Sequence, residues 1–346
     1  MRKARVPALV GVCLCLASCG EPSGPPLRIT VPDGAIFQQV VDTLVDREIV
    51  GTGGLFAIYG RIKGADRQVR AGGYAFRVGE SWSTIIEELT AGRVLTDPMT
   101  IPEGFTLRRM APRLAAITGQ DEGAVLEHLN RDSLDAVHGV PGPGLEGYLF
   151  PDTYLIAPGA ALDAVIDAMV QRYLAFWTAE RRSRLDDLPL TEREVVTLAS
   201  IIQAEARHVT EMPAISSVYH NRLRIGYLLQ ADPTVLYALG GFRERLLYAA
   251  IDSVADHPYN TYTQAGLPPG PIGAPGEAAL DAALVPADTD FLYFVARPNG
   301  EHVFTRSLTE HNRAKAAARR EWDTARASGG TRPPDDTTAA GGSGRP

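Results

Sequence analysis

The residue types best suited to chemistry gather between Thr191 and Gly241, TEREVVTLASIIQAEARHVTEMPAISSVYHNRLRIGYLLQADPTVLYALGG, and foremost among them is Glu205. Val195, Leu198, Ala199 and Ile202 recur at helical spacing, and Glu205 continues the same stripe. A carboxyl group on an apolar face is costly to ionise, which raises its pKa toward the range where it can give up a proton near neutral pH. That is what a general acid needs. Downstream, Gln230-Ala231-Asp232-Pro233 reads as an elbow, with Asp232 as the N-cap and Pro233 in the first turn of a helix from Thr234 to Leu239. The alternative is that the elbow, Gln230 to Thr234, faces a substrate. Tyr259, Asn260, Thr261 and Tyr262 lie in a Pro- and Gly-rich loop that suits a carbohydrate groove, since tyrosine offers an apolar face and a hydroxyl. The alternative there is a surface omega loop.

Other chemistries fall away. Glu205 and His208 stand three apart on one helix face, half of a two-metal carboxylate motif whose other half is missing, so no metal is expected. Ser200 sits mid-helix, hydrogen-bonded back to the backbone, and no G-x-S-x-G elbow occurs. Phosphate-loop and dinucleotide fingerprints are absent, and Lys3, Lys63 and Lys315 are poorly placed for a Schiff base. No cofactor is implied. The cysteines, Cys13, Cys15 and Cys19, all precede the folded body, and a net charge of −7 without a basic stripe argues against nucleic acid as a partner. What remains is one acid beside a polar, aromatic loop, which suggests cleavage of a glycosidic bond. Most glycosidases add a second carboxylate, for which Glu211 and Asp232 are in range. If neither reaches the bond, the acid must act alone, first as acid and then as base toward a nucleophile supplied by the substrate.

The elements that position these residues are legible. Thr191 and Glu194 form a capping box that starts the Glu205 helix, with Leu190 able to staple onto Val195. Ile215, Val218, Tyr219 and Leu223 line a second helix ending at Gly226, so a helical hairpin results. Residues 291–296 and 302–306 flank Pro298-Asn299-Gly300 as a β-hairpin, followed by a last helix from Thr309 to about Ala325. Upstream, amphipathic helices are predicted at 107–118, 121–129 and 160–179. Leu145, Tyr148, Leu149, Phe150 and Tyr154 make the loop 140–154 too apolar for solvent, so it packs against the following domain or lines a groove. Residues 71–92 resemble a LysM-like glycan-binding module; a small α+β spacer is the other reading.

The fold class is therefore α+β: a small LysM-like module (27–98), a helical connecting subdomain (99–186), a mainly helical catalytic domain with a β-hairpin (187–326), and a disordered tail (327–346). Residues 1–18 read as a lipoprotein signal peptide and 19–26 as a linker. Arg2, Lys3 and Arg5 precede an apolar run from Val6 to Ala17, and Leu16-Ala17-Ser18-Cys19 resembles a lipobox, implying cleavage before Cys19 and acylation of its thiol. The alternative is an uncleaved signal anchor, although the run is shorter than the roughly 20 residues of a spanning helix. Either way the body is exported to the cell envelope and held at a membrane.

Leu198–Glu205, Val218–Gly226, Leu229–Val235, Tyr259–Tyr262 and Gly266–Ile272, with Ile101–Thr106 and Glu146–Tyr154 upstream, resemble the MltG (YceG-like) family of endolytic murein transglycosylases. The resemblance implies that Glu205 is the catalytic acid and base. It would cut between N-acetylmuramic acid and N-acetylglucosamine in nascent peptidoglycan strands, leaving 1,6-anhydro ends. The elbow residues Gln230, Asp232 and Thr234 and the loop residues Tyr259, Asn260, Thr261 and Tyr262 are the candidate substrate-binding set read from the residues themselves. The resemblance also implies peptidoglycan synthases as partners in ending strands. Many members carry a membrane helix where this chain has a lipobox, and some carry Glu where this chain has Gln203. Two other functions remain open: a non-catalytic peptidoglycan-binding lipoprotein, and a hydrolase using Asp232 as second carboxylate.

Overall fold

The computed structural model describes residues 22–32, 34–92, 95–241 and 248–327. The expected signal peptide, Cys19 and the chain beyond 327 lie outside the described residues. Among the described residues no helix is long and apolar enough to cross a membrane. The chain divides into two compact units, one ending at Asp97 and including 157–160, the other formed by 98–156 and the chain from 161 onward.

Unit 1 carries β1 (Ser23–Val31), α1 (Phe37–Asp46), α2 (Gly53–Ile62), β2 (Gly72–Val78) and α3 (Trp82–Ala91). Strand β1 pairs antiparallel with β2, Ile29 opposite Tyr74, and begins inside the segment expected to be a linker. Pro25 and Pro26 have no amide hydrogen to give the ladder, and the register shifts there, between Ser23 and Leu27. Phe37, Val40, Val41 and Leu44 of α1 pack with Phe56, Tyr74, Phe76, Ile85 and Leu89 in a core of its own.

Unit 2 is built from β3 (Asp97–Thr100), α4 (Leu107–Thr118), α5 (Glu122–Leu129), α6 (Leu134–His138), β4 (Thr153–Ile156), α7 (Leu162–Phe176) and α8 (Ala179–Asp186). It continues with α9 (Glu192–Glu205), α10 (Met212–Arg224), α11 (Asp232–Ala238), α12 (Tyr248–Asp252), α13 (Glu277–Leu284), β5 (Tyr293–Ala296), β6 (His302–Thr305) and α14 (Leu308–Ala327). The expected 160–179 helix breaks after Phe176, where the Thr178 hydroxyl caps a new helix, α8, by accepting from Arg181 N. Helix α13 has no counterpart in the sequence reading: its alanines carry little periodic signal.

Helix α9 is central. The capping box forms as expected, with Thr191 N donating to Glu194 Oε2 at 2.8 Å and Glu194 N to Thr191 Oγ1 at 3.3 Å. Every residue from Val195 to Ile202 is buried, so the helix is enclosed on all sides and not only along one stripe. It packs against α10, α11 and α13. The hairpin β5–β6 forms with Tyr293 opposite Thr305.

Candidate active site

Helix α9 ends at Glu205. Ala206 turns to extended backbone, so His208 leaves the helix and is not on the Glu205 face, contrary to the expected three-residue pairing. His208 Nε2 instead sits 3.2 Å from Asn299 O. Among the described residues no group of His, Cys, Asp and Glu could hold a metal ion. Near the same end Gln203 accepts from Gly276 N at 3.0 Å, which leaves it a framework role. Ser200 bonds back to Thr197 O at 2.7 Å, as expected, and also accepts from Ile272 N, pinning the loop 258–272 to α9.

The Glu205 carboxyl is met from α10. Tyr219 Oη donates to Glu205 Oε1 at 2.9 Å. Burial and the neighbouring Glu205 charge push the Tyr219 phenol well above its usual value, with Arg222 opposing, so Tyr219 keeps its proton and acts as donor. Arg222, itself buried, donates to Leu292 O at 2.7 Å and Leu229 O at 2.6 Å, tying α10 to the hairpin and to the chain entering the elbow.

At the elbow the cap assignment for Asp232 is corrected. Ala231 is the N-cap residue, without a side-chain cap, and Asp232 is the first residue of α11. Thr261 and Thr234 hold the turn in place of Asp232: Ala231 N donates to Thr261 Oγ1 at 2.9 Å, and Thr234 Oγ1 donates to Ala231 O at 2.7 Å. With no capping role, the Asp232 carboxylate accepts from Tyr262 Oη.

Glu205 and Asp232 line one cleft of about 990 Å³. Its walls also carry Glu146, Arg108, Arg109, Arg207, Tyr237, Phe294 and His302. Glu146 accepts from Leu107 N at 3.2 Å and from Tyr237 Oη at 3.4 Å. Desolvation pushes its carboxyl up to about 8 against those two bonds. Its loop is packed as expected, with Leu145, Tyr148, Leu149 and Phe150 buried. The loop meets 258–272 at Gly147. There φ is +85°, and any Cβ would stand 2.4 Å from the Pro271 ring, so only glycine fits.

Of the expected substrate-binding set, Asp232 lies on the cleft and Tyr262 is bonded to it, while the Tyr259 ring packs 4.9 Å from Tyr237, itself on the wall. Gln230, Thr234, Asn260 and Thr261 are not among the residues lining the cleft. All are buried, and Asn260 Nδ2 donates to Ile251 O and Val254 O. Sequence reasoning missed Glu146, Tyr219 and His302 as cleft or acid contacts. The first two lie within the family motifs, but their partners are 91 and 14 residues away, beyond any local pattern.

The YceG-like family model matches residues 29–317. This chain belongs to that family. Within it, a Bacillus subtilis (strain 168) protein named endolytic murein transglycosylase is 34% identical over 306 residues, covering 84% of this chain and 84% of the relative. A Streptococcus pneumoniae (strain R6) protein of the same name is 28% identical over 320 residues, 83% of this chain but 57% of the relative. A crystal structure of a YceG-like protein from Listeria monocytogenes superposes with a TM-score of 0.58 at 29% identity, covering 84% of this chain and 100% of that one. The α+β class holds for this YceG-like chain.

Proposed function

We propose that this chain is an endolytic murein transglycosylase that cuts between N-acetylmuramic acid and N-acetylglucosamine within glycan strands. The observation that carries the mechanism is the Glu205 carboxyl on the wall of a cleft of about 990 Å³, oriented by the Tyr219 hydroxyl. The named relatives support the same activity.

Glu205 gives its proton to the glycosidic oxygen as the bond to C1 of the muramic residue breaks. The C6 hydroxyl of that residue then attacks C1 and returns a proton to Glu205. The product is a 1,6-anhydro end, and no water is consumed, so no second carboxylate is required. The setting suits a group that both gives and takes a proton. The C-terminal end of α9 carries partial negative charge and favours the protonated form, while the Tyr219 donor favours the carboxylate. Arg108, Arg109 and Arg207 on the lining offer cations to the carboxylates of murein.

Glu205→Gln, digested with purified murein and read by mass spectrometry, should yield no anhydro-ended fragments while its circular dichroism matches wild type. Full activity would sink the assignment; a wild type that binds murein without making new ends would point to a non-catalytic binder. A second reading is kept alive by Asp232, which shares the cleft with Glu205: a hydrolase with Asp232 as base would leave reducing ends.

The same function places the body in the cell envelope, beside synthases that make the strands it ends. Unit 1 serves as a LysM-like module that holds glycan, and residues 187–326 as the catalytic domain. Cys19 is the attachment to membrane; palmitate label entering wild type but not Cys19→Ala is the expected result.

A further inference from the structure

The residue opening β6 is fixed with more care than a hairpin requires. His302 N donates to Glu211 Oε1 at 2.8 Å, and His302 Nδ1 lies 2.9 Å from Glu211 Oε2. One carboxylate thus sets both the strand position and the ring plane, and as an acceptor it assigns Nδ1 the hydrogen. Phe294 packs edge-on at 5.3 Å and Phe304 tilts against the ring at 6.1 Å. The His302 side chain is only 4% exposed, yet it lines the cleft that holds Glu205. With Nδ1 committed to Glu211, the ring atom left for a ligand is Nε2. An imidazole oriented by a carboxylate on one nitrogen, with the other on a cleft wall, is a preorganised hydrogen-bonding group, and its ordering cost is met before any ligand arrives.

We propose that His302 Nε2 hydrogen-bonds a hydroxyl or acetamido group of the glycan in the cleft, forming a subsite beside the scissile bond, with Glu211 as the residue that positions it. The subsite rests on the glycan-cleaving function proposed above.

Two substitutions separate a glycan contact from a purely structural clamp. An asparagine amide reaches the position of Nδ1, so His302→Asn keeps the bond to Glu211 and loses the reach of Nε2. A glutamine amide reaches the position of Nε2, so His302→Gln keeps the contact and loses the clamp. With anhydro ends from purified murein as the assay, kcat/KM should fall roughly tenfold in His302→Asn, mostly through KM, and by no more than about threefold in His302→Gln, the scale of one hydrogen bond. Glu211→Gln should raise KM with kcat little changed. The reverse order of the two histidine variants, or equal losses in both, would overturn the subsite. Co-sedimentation of the same proteins with insoluble murein reads the contact independently of turnover: weaker binding by His302→Asn than by His302→Gln is expected, and equal binding overturns it. If wild type makes no anhydro ends at all, the enzymatic function fails while the binding series still decides on His302.

Discussion

Tyr219 of α10 donates to Glu205 at the last residue of α9, and that 2.9 Å bond ties α10 to the carboxyl on the cleft wall. The Tyr219 ring is buried and packs edge-on to Phe294 at 6.0 Å, so its hydroxyl has little freedom to turn elsewhere. The acid is thereby held from a rigid scaffold and not from a loop.

Tyr219→Phe keeps that ring packing and removes only the donor. Hydrogen bonds to charged groups are worth about 1.5–3 kcal/mol, so anhydro-end formation should fall by roughly tenfold to a hundredfold at neutral pH. Losing a donor to the carboxylate favours its protonated form, so the basic limb of the pH–rate profile should move to higher pH. An unchanged profile would show that the phenol does not tune the acid.

Thr261→Val tests whether Thr261 holds the elbow or contacts substrate. Valine matches the shape but strands the buried Ala231 amide and takes away the partner of the Thr234 hydroxyl, 2.9 Å away. Urea unfolding should show a loss of about 1–3 kcal/mol. Unaltered stability with weakened murein binding would restore Thr261 to the substrate.

How far the chain could be read from its letters depended on the reach of each interaction. The α9 cap, the β5–β6 hairpin and the Ser200 back-bond are decided within a few residues, and each formed as the sequence predicts. Asp232 misled because Asp before Pro is a good local cap, while the turn it was expected to cap is an elbow already satisfied by Thr261, about thirty residues on. Glu146 was invisible as a cleft acid because the groups that bond its carboxyl, the Leu107 amide at the start of α4 and the Tyr237 hydroxyl, are both distant in sequence.

Asp232→Asn distinguishes the two ways of finishing the reaction. In the transglycosylase, Asp232 accepts from Tyr262 and helps shape the cleft, so the amide variant should still make anhydro ends at a rate reduced by about tenfold or less, the scale of one lost hydrogen bond. In a hydrolase it would be the base, and removing a general base costs roughly 10²–10⁴-fold. Mass spectra of the wild-type digest showing reducing ends that vanish in Asp232→Asn would decide for the hydrolase.

Glu146→Gln should change how stability depends on pH. Burial raises the folded carboxyl from 4.5 to about 8, so between those values the native state holds a proton that the unfolded chain has released. Wild-type stability from this group is therefore full below about 4.5, falls as pH rises, and levels off above about 8. Glutamine mimics the neutral acid at every pH: its carbonyl can accept from Leu107 N and its amide can donate to Tyr237 Oη. The variant should match wild type near pH 4.5 and gain on it steadily up to pH 8. Each pKa unit is worth about 1.4 kcal/mol, which bounds the gain at a few kcal/mol. Paired urea titrations at about pH 5, 7 and 9 measure it. A difference that stays flat across that range would show Glu146 ionised throughout, and a variant less stable than wild type at the alkaline end would mean the carboxylate is held there by a cation of the cleft.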